Sequence, residues 1–390
     1  MKDEGRLTRL SLVERGNDCG PDMRVLHFFK TYIPDTFAGI ERVIWQIAEG
    51  SEEHGIRADV LSLSPSSAGI KEPLQVGRHH AYKARQDLHV ASTGFSLSGI
   101  KVFADLAREA DIVHYHFPWP YMDIAHFLAR HGKPTVVTYH SDVVRQKLLL
   151  QAYKPLMHAF LKRVDRIVAT SPNYVASSPV LKTYREKTSV IPIGLGPQSR
   201  EMLDPAVVES WRARVGQDFF LFVGALRYYK GLGFLIDAAR ATGLPVVVVG
   251  EGEMGADLLA AGLPNLQLVG SVDDADRAAL LELSRAFVFP SHLRSEAFGV
   301  ALLEAARAGR PMISCEIGTG TSYVNKDGET GIVVPPADAA ALGAAMQKLH
   351  QDRELARAMG AAAHERFCNI FSAEPMVNSY IALYRSLLPH

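Results

Sequence analysis

The sequence predicts an α/β protein with two doubly wound, Rossmann-like domains, each built on a parallel sheet. Short apolar segments rich in β-branched residues alternate with amphipathic stretches, which is the pattern of parallel strands joined by crossover helices. The pattern runs once, stops and starts again. A chain of 390 residues is also too long for one ordinary core, so two domains facing a central cleft are expected.

The first set of apolar segments predicts six strands: VLHFF, ADVLSL, DIVHYH, TVVTYH, RIVAT and SVIPI. The residues before it, 1–22, carry charges at both ends and no apolar run long enough for a signal peptide. We therefore predict a poorly ordered extension over 1–22 and an N-terminal domain over 23–196.

The second set also predicts six strands: FFLFVG, PVVVVG, LQLVG, AFVFP, PMISC and GIVVPP. The segment from Gly194 to Arg200 interrupts the periodicity between the two sets and is the predicted linker. The C-terminal domain is therefore placed at 197–372. The periodicity that follows is helical, and 373–390 is predicted to form a last amphipathic helix that packs back on the N-terminal domain.

The composition argues against several classes of protein. Lys plus Arg and Asp plus Glu number 42 each, so no net charge directs the chain to nucleic acid, and none is predicted as a partner. No segment reaches the about 18 apolar residues that a membrane-spanning helix needs. Three widely spaced cysteines without a C-x-x-C pair indicate a reducing compartment, so a cytoplasmic protein is expected.

The most informative segment for function is FVFPSHLRSEAFGVALLEAARAG, a strand, a polar loop and a helix. Glu296 precedes the helix and Glu304 lies about two turns along it, so the two carboxylates reach different parts of one elongated ligand. First-turn N–H groups backed by the helix dipole suit a phosphate oxygen and are expected at Phe298, Gly299 and Val300. The alternative is that the loop only caps the helix and the second carboxylate is solvated.

A second segment, FLFVGALRYYKGLGFLIDAA, places Arg227 and Lys230 between a strand and a helix. Cations at the carboxyl end of a strand suit a diphosphate, whose charge grows as its bond to a sugar breaks. The guanidinium offers a fork and the ammonium a point charge. Taken alone, such cations are more often solvated surface charges than ligands.

Together the two segments resemble the large retaining glycosyltransferase family 4, which has the two-domain GT-B fold. The family motif of a Glu, seven residues and a second Glu matches Glu296 to Glu304, with Phe-Gly after the first Glu, and the family's G-x-x-x-x-x-K-G stretch matches Gly224 to Gly231. The resemblance covers 23–388. It implies an N-terminal acceptor domain and a C-terminal domain for the nucleotide-sugar donor.

The resemblance also implies roles for the candidate residues. Arg227 and Lys230 would hold the donor diphosphate, assisted by backbone N–H groups at the start of the helix. Glu296 would bind hydroxyls of the transferred sugar, and Glu304 would bind the ribose.

Two more candidates lie in the N-terminal half. Gly39, in TFAGIERV, resembles the family's N-terminal glycine loop near donor and acceptor, although members often have two glycines where this chain has Ala38-Gly39. His140, in VVTYHSD, matches the family's active-site histidine, which contacts the donor sugar. In the family the sugar keeps its anomeric configuration, and a favoured scheme lets the departing phosphate oxygen take the acceptor proton.

Within the family, VVTYHSDVVRQKLLLQAYKP, ATSPNY and VIPIGL are similar to bacterial transferases that build lipopolysaccharide O-antigen or exopolysaccharide, commonly mannosyltransferases that use GDP-mannose. The predicted function is therefore transfer of mannose from GDP-mannose to a glycan or lipid-linked acceptor. Donors of glucose, galactose or rhamnose are the alternatives. The sugar nucleotide is a substrate, and no cofactor is predicted.

Two functions of other classes stay open. The turn Gly250-Glu-Gly252-Glu-Met-Gly255 is a literal G-x-G-x-x-G after a strand, the context of a dinucleotide site, and favours an NAD-dependent oxidoreductase. Against it, the turn follows the second strand of its domain rather than the first. A non-catalytic sugar-nucleotide binder is the third class.

Two patterns suggest a metal without establishing one. Asp274-Ala-Asp276 looks like the D-x-D of metal-dependent glycosyltransferases, but it begins a helix, so capping is favoured. His114 and His116 lie on one strand face at metal-compatible spacing, yet no further ligand cluster with carboxylates is evident. No metal is predicted.

The segment 145–163, RQKLLLQAYKPLMHAFLKR, mixes apolar and basic residues and could contact the inner face of the plasma membrane, where a lipid-linked acceptor would lie. The alternative, a core-facing helix with a basic solvent face, is slightly favoured.

Overall fold

The computed structural model describes residues 23–65, 72–90, 93–143, 147–196 and 203–388. The predicted extension, 1–22, lies outside the described residues, as does most of the predicted linker. None of the helices in the described part of the chain is long and apolar enough to cross a membrane.

The N-terminal domain is built on an eight-stranded sheet whose strands are β1 Arg24–Phe28, β2 Arg57–Ser64, β3 Leu74–Val76, β4 His79–Arg85, β7 Ile112–Phe117, β8 Thr135–Tyr139, β9 Arg166–Ala169 and β10 Thr188–Val190. The strand order is β10-β9-β8-β7-β1-β2-β4-β3, and every pair is parallel except β3 with β4. A separate antiparallel pair consists of β5 Leu88–Val90 and β6 Thr93–Phe95.

All six strands predicted for this domain are present, but the predicted count was wrong because β3 and β4 extend the sheet beyond β2. The sequence of β4, HHAYKAR, is polar, so it lacks the apolar run by which the other strands were found. Lys83 of β4 is nevertheless buried, because its ammonium lies 2.9 Å from a carboxylate oxygen of Asp35. Pairing of this kind allows a charged side chain inside a domain.

The C-terminal domain has the six parallel strands that were predicted: β11 Phe220–Val223, β12 Val246–Val249, β13 Leu266–Gly270, β14 Ala286–Phe289, β15 Met312–Cys315 and β16 Gly331–Val334. Their order is β13-β12-β11-β14-β15-β16. The order reverses between β11 and β14, so the loops that follow these two strands leave the sheet side by side. Such a switch point is where open α/β sheets bind ligands.

Helices cover both sheets. In the N-terminal domain they are α1 Gly39–Glu53, α2 Leu97–Glu109, α3 Pro120–Ala129, α4 Lys147–Arg163, α5 Pro172–Ser177 and α6 Pro179–Thr183. In the second half they are α7 Pro205–Val215, α8 Leu232–Thr242, α9 Gly255–Ala260, α10 Asp274–Leu283, α11 Val300–Arg307, α12 Thr321–Val324, α13 Ala339–Gln351, α14 Arg353–Arg366 and α15 Ala373–Arg385. Four of these begin with an aspartate whose side chain accepts a backbone N–H bond, namely α7, α10, α13 and α14.

The last helix, α15, contacts the N-terminal domain. The Tyr384 hydroxyl lies 2.7 Å from Nδ1 of His114 in β7. The chain returns next to the place where it first crosses between the domains, because the amide of Leu195 donates to Phe371 and the amide of Ala373 donates to Leu195. Two neighbouring crossings therefore join the domains.

Candidate active site

Two helices of different domains begin opposite each other in the cleft. Gly39 is the first residue of α1, and a Cβ atom placed on it would lie 3.9 Å from Cγ2 of Val300, the first residue of α11. Neither helix has a side-chain cap at its N-terminus. Because a helix N-terminus carries partial positive charge and unpaired N–H groups, two of them facing each other favour an anion.

The start of α11 depends on the Phe-Gly pair. Gly299 has a φ of +88°, in the left-handed region, and an added Cβ would lie 2.9 Å from a methyl carbon of Leu302. The Phe298 side chain is buried, with its ring centroid 6.3 Å from that of Phe371. Phe298 therefore anchors the loop through its ring, and only its backbone is available to a ligand.

Lys230 and Glu296 form an ion pair. The ammonium nitrogen lies 2.5 Å from a carboxylate oxygen of Glu296, and both side chains are nearly buried, with exposed fractions of 12% and 13%. The ammonium also lies 4.6 Å from the ring centroid of Phe289. The sequence assigned these two residues to different parts of the donor, and the structure brings them into direct contact because their loops follow β11 and β14.

Arg227 is exposed near the start of the same loop. Its positive charge influences the pKa of Lys30, a residue that follows β1 of the opposite domain. Burial lowers the pKa of Lys30, and the nearby Arg227 lowers it further, although Glu41 acts in the other direction. The two cations come from different domains, so an anion between them would relieve the repulsion. Lys30 was missed by the sequence analysis, although a cation directly after an apolar strand was a signal for it.

The G-x-G-x-x-G turn packs against the loop that carries Arg227. The amide of Leu226 donates to the carbonyl of Glu251, and the amide of Met254 donates to the carbonyl of Leu226. A Cβ atom on Gly250 would lie 2.0 Å from the carbonyl oxygen of Gly224. The glycines therefore allow two strand-end loops to touch, and α9, which follows, has only six residues.

Glu304 lies about one turn after Val300, the first residue of α11, so the predicted distance of two turns was wrong. Its carboxylate lies 3.2 Å from Nε of Arg277. Both aspartates of the D-x-D-like pair have partners within the protein: Asp274 pairs with Arg277 at 2.6 Å, and Asp276 accepts the indole N–H of Trp211 at 2.8 Å. The residue that caps α10 is the preceding Asp273.

His140 is buried at the end of β8. Burial lowers its pKa to about 3, so the imidazole is neutral. Its Nε2 atom lies 3.0 Å from Nδ1 of His116. The pairing of β1 with β7 brings a third imidazole, His27, beside His114 and His116, and the sequence analysis missed it. Within the described residues, ring nitrogens of these three histidines lie within 4.8 Å of one another.

A second group missed from the sequence joins the domains beside the site. The guanidinium of Arg294, in the loop before Glu296, donates to Asp142 at 3.0 Å and to Ser177 at 2.9 Å. Both partners belong to the N-terminal domain. No pattern in the sequence links residues this far apart, so nothing in it could have indicated these contacts.

The chain is similar to known proteins over nearly its whole length. Residues 37–198 match the family described as Glycosyltransferase Family 4, and residues 205–366 match Glycosyl transferases group 1. The D-rhamnosyltransferase WbpZ of Pseudomonas aeruginosa is 54% identical over 90% of this chain and 93% of its own length. The O-antigen chain mannosyltransferase C of Escherichia coli is 49% identical over 94% of this chain and 99% of its own length.

Solved structures share the two-domain fold of this chain. Sucrose-phosphate synthase from Thermosynechococcus elongatus superimposes with a TM-score of 0.77 at 19% identity, covering 94% of this chain and 99% of that one.

Membership of a transferase family excludes the NAD-dependent oxidoreductase that the glycine turn suggested, and the packing role of that turn explains its glycines. The chain belongs to glycosyltransferase family 4 and is a glycosyltransferase of the GT-B fold.

Proposed function

We propose that the protein transfers mannose from GDP-mannose to a glycan or lipid-linked acceptor during synthesis of bacterial O-antigen, with retention of the anomeric configuration. The observation that carries the proposal is the contact between Lys230 and Glu296 beside the facing starts of α1 and α11. Such a site offers positive charge for a diphosphate and, next to it, a carboxylate for sugar hydroxyls.

The names of the two similar transferases support a manno-configured sugar. One is a mannosyltransferase and the other a D-rhamnosyltransferase, and D-rhamnose is D-mannose without the 6-hydroxyl group. The D-rhamnosyl nucleotide is therefore the second candidate donor, supported by the D-rhamnosyltransferase that is 54% identical to this chain.

Each group of the site has a task in the proposed reaction. Three cations, Lys230, Arg227 and Lys30, stabilise the negative charge that develops on the diphosphate as the bond to the sugar breaks. Lys30 comes from the opposite domain. The N–H groups at Phe298, Gly299 and Val300 assist, and those at Gly39 face the same space. Glu296 orients the sugar, Glu304 faces the ribose, and neutral His140 contacts the sugar. The departing phosphate oxygen takes the proton of the acceptor hydroxyl.

A donor panel tests the proposal. GDP-mannose, GDP-D-rhamnose, UDP-glucose and UDP-galactose would be offered with a mannose-terminated acceptor, and NMR would record the anomeric configuration of the product. We expect GDP-mannose to give the highest kcat/KM and the product to keep the donor's configuration. Faster transfer from a UDP-sugar would contradict the proposed donor, and an inverted centre would contradict retention.

The variant Glu296→Gln separates an enzyme from a binder of sugar nucleotides. Loss of the carboxylate charge should reduce kcat by at least about 100-fold, as removal of a contact to the transition state does. GDP should still raise the melting temperature of the variant, because the diphosphate contacts remain. Unchanged turnover would remove Glu296 from the site.

Residues 145 and 146 of the predicted membrane segment 145–163 lie outside the described residues. We further propose that the protein contacts the inner face of the plasma membrane, although not through the apolar side chains in the last two turns of α4. Among the described side chains of α4, Met157, Phe160 and Leu161 are buried, which is what a core-facing helix predicts. Beside its last turn lies a groove of about 940 Å³, whose lining includes three cations, Arg130, Lys133 and Arg163, one carboxylate, Asp165, and the exposed ring of Phe127. Cations with exposed apolar side chains suit an anionic lipid surface.

Sedimentation with vesicles tests this contact. The protein should sediment with phosphatidylglycerol vesicles at low salt and be released at high salt. The double variant Phe127→Ser/Leu128→Ser should weaken sedimentation, whereas Leu259→Ser, at an exposed leucine of α9 in the other domain, should not. Absence of sedimentation at low salt would contradict the proposal.

A further inference from the structure

Three imidazoles lie in a row that leads from the cleft into the core of the N-terminal domain. Nε2 of His140 lies 3.0 Å from Nδ1 of His116, and Nε2 of His116 lies 3.1 Å from Nδ1 of His27. The neighbouring rings are nearly parallel, with interplanar angles of 20° and 19°. All three side chains are buried. The two hydrogen bonds therefore link the three imidazoles into one chain that is shielded from water.

A chain of neutral imidazoles has only two possible arrangements of its protons. Each neutral ring carries one N–H and one bare nitrogen, so each ring that accepts from one neighbour must donate to the other. Either every ring is protonated at Nδ1, or every ring is protonated at Nε2. The tautomer of His140 is thus tied to the tautomers of His116 and His27.

The inner end of the chain favours one arrangement. Nε2 of His27 is buried and has no hydrogen-bond partner among the described residues. Protonation at Nε2 throughout would leave an N–H there without an acceptor, and buried orphan N–H groups are rarer than acceptors that lack a donor. Protonation at Nδ1 throughout leaves a bare nitrogen instead. In that arrangement the Nδ1–H of His140 is the ring group left for a ligand.

We propose that His116 and His27 are positioning residues that hold His140 in its Nδ1–H tautomer, so that it donates a hydrogen bond to the donor sugar. The inference rests on the proposed contact between His140 and that sugar. The N–H group of His140 then points in a fixed direction before the substrate arrives. In other functional sites, too, a neighbouring group fixes the tautomer and orientation of an imidazole through a hydrogen bond. Low pKa values of His140 and His27, both about 3 because of burial, keep the chain neutral.

His114 provides a matched control in the same layer. It is equally buried and lies on the same strand as His116, but its ring nitrogens contact Tyr384 and Thr138 at 2.7 Å each. These contacts lead to α15 and not to His140. Replacing His114 therefore disturbs packing and hydrogen bonding to a similar extent without breaking the chain.

The first experiment measures the tautomer in the whole protein without added donor. Histidine labelled with ¹⁵N would be examined at pH 7.5 by long-range ¹H–¹⁵N correlation, and the His140 signals would be assigned by their loss in His140→Gln. We expect a protonated Nδ1 and a bare Nε2 for His140, also in His114→Phe. An Nε2–H tautomer or a mixture would overturn the proposal. So would one equivalent of zinc by elemental analysis, because the ion would occupy ring nitrogens of the chain.

The second experiment links the tautomer to catalysis. His116→Phe should leave His140 as a mixture of tautomers and lower kcat roughly tenfold, the value of one hydrogen bond, with little change in donor KM. His114→Phe should keep both the tautomer and kcat at the temperature of the assay. Equal kcat for His116→Phe and the unsubstituted protein would overturn the positioning role. Should His116→Phe not fold, the NMR measurement decides alone, and it does so whatever the donor proves to be.

Discussion

Lys230 and Glu296 show at the scale of single residues how the site is arranged. Each is the other's partner at 2.5 Å, and both are nearly buried. A buried ammonium or carboxylate left without a partner is costly, so the pair keeps both charges inside the protein. We propose that the oxygens of a bound diphosphate replace the carboxylate at Lys230, and that Glu296 is then released to accept hydrogen bonds from sugar hydroxyls.

The variant Lys230→Ala tests the diphosphate contact. A hydrogen bond to a charged group contributes about 1.5 to 3 kcal/mol, so kcat/KM for the donor should fall roughly 10- to 150-fold in steady-state assays. Lys326→Ala is the control, because that lysine is exposed and pairs with Glu329 away from the cleft. Unchanged donor kinetics in Lys230→Ala would exclude the contact.

The buried histidines make stability depend on pH. Burial lowers the pKa values of His27 and His140 from 6.5 to about 3, so the unfolded chain takes up protons below about pH 6.5 that the folded chain does not. The free energy of unfolding is therefore not reduced by these two histidines above that pH. Below it, the free energy of unfolding falls by about 1.4 kcal/mol per pH unit for each imidazole. Urea unfolding at pH 7.5 and 5.5 should show this loss, and His140→Gln should reduce it. Equal unfolding free energies at both pH values would contradict the prediction.

At the scale of elements, the first N–H groups of α1 and α11 have no side-chain acceptor. α7, α10, α13 and α14 begin with aspartate caps, whereas α1 and α11 begin at positions without a side-chain cap. An aspartate at the start of α11 would satisfy the same N–H groups that a phosphate needs, and its charge would repel the phosphate. A glycine there leaves these donors to the ligand.

The variant Gly299→Ala tests the start of α11. A left-handed alanine costs about 1 to 2 kcal/mol, and the added methyl group also approaches Leu302. Gly328→Ala separates the two effects, since Gly328 has a φ of +72° and open space around it. Calorimetry should show both variants less stable, and only Gly299→Ala should bind GDP more weakly in titrations. Equal GDP affinity in the two would argue against a phosphate at this helix start.

What the sequence could predict depended on the element. Apolar strands were found in both domains, whereas β4 was missed because its residues are polar and its lysine is buried only through an ion pair with Asp35. Glu296 and Lys230 could be predicted from motifs. They lie in contact because their loops follow β11 and β14, the neighbouring strands at the switch point of the sheet. The contacts of Arg294 and the place of His27 depend on three-dimensional arrangement alone, which periodicity does not encode.

At the scale of the whole molecule, Arg294 connects the two domains beside the site. It reaches Asp142 and Ser177 across the cleft, and a second contact between the domains, Arg42 with Asp274 at 3.2 Å, lies near the start of α1. A site shared by two domains must open to admit substrate and close to exclude water. Contacts of this kind favour the closed arrangement.

The variant Arg294→Ala should shift the protein toward an open arrangement. Small-angle X-ray scattering should give a larger radius of gyration than for the unsubstituted protein, and donor KM should rise because part of the binding energy is then used for closure. Arg310→Ala is the control, since that arginine pairs with Glu282 inside one domain at 2.5 Å. Identical scattering curves for Arg294→Ala and the unsubstituted protein would exclude this role.

The return of α15 to the first domain has a consequence for biosynthesis. His114 and Thr138 belong to the first sheet, but the tyrosines that complete their hydrogen bonds, Tyr384 and Tyr380, lie 270 and 242 positions further along the chain. The whole second sheet is translated between the two partners of each bond. We therefore expect the first domain to complete its hydrogen bonds only after the second domain has been synthesised.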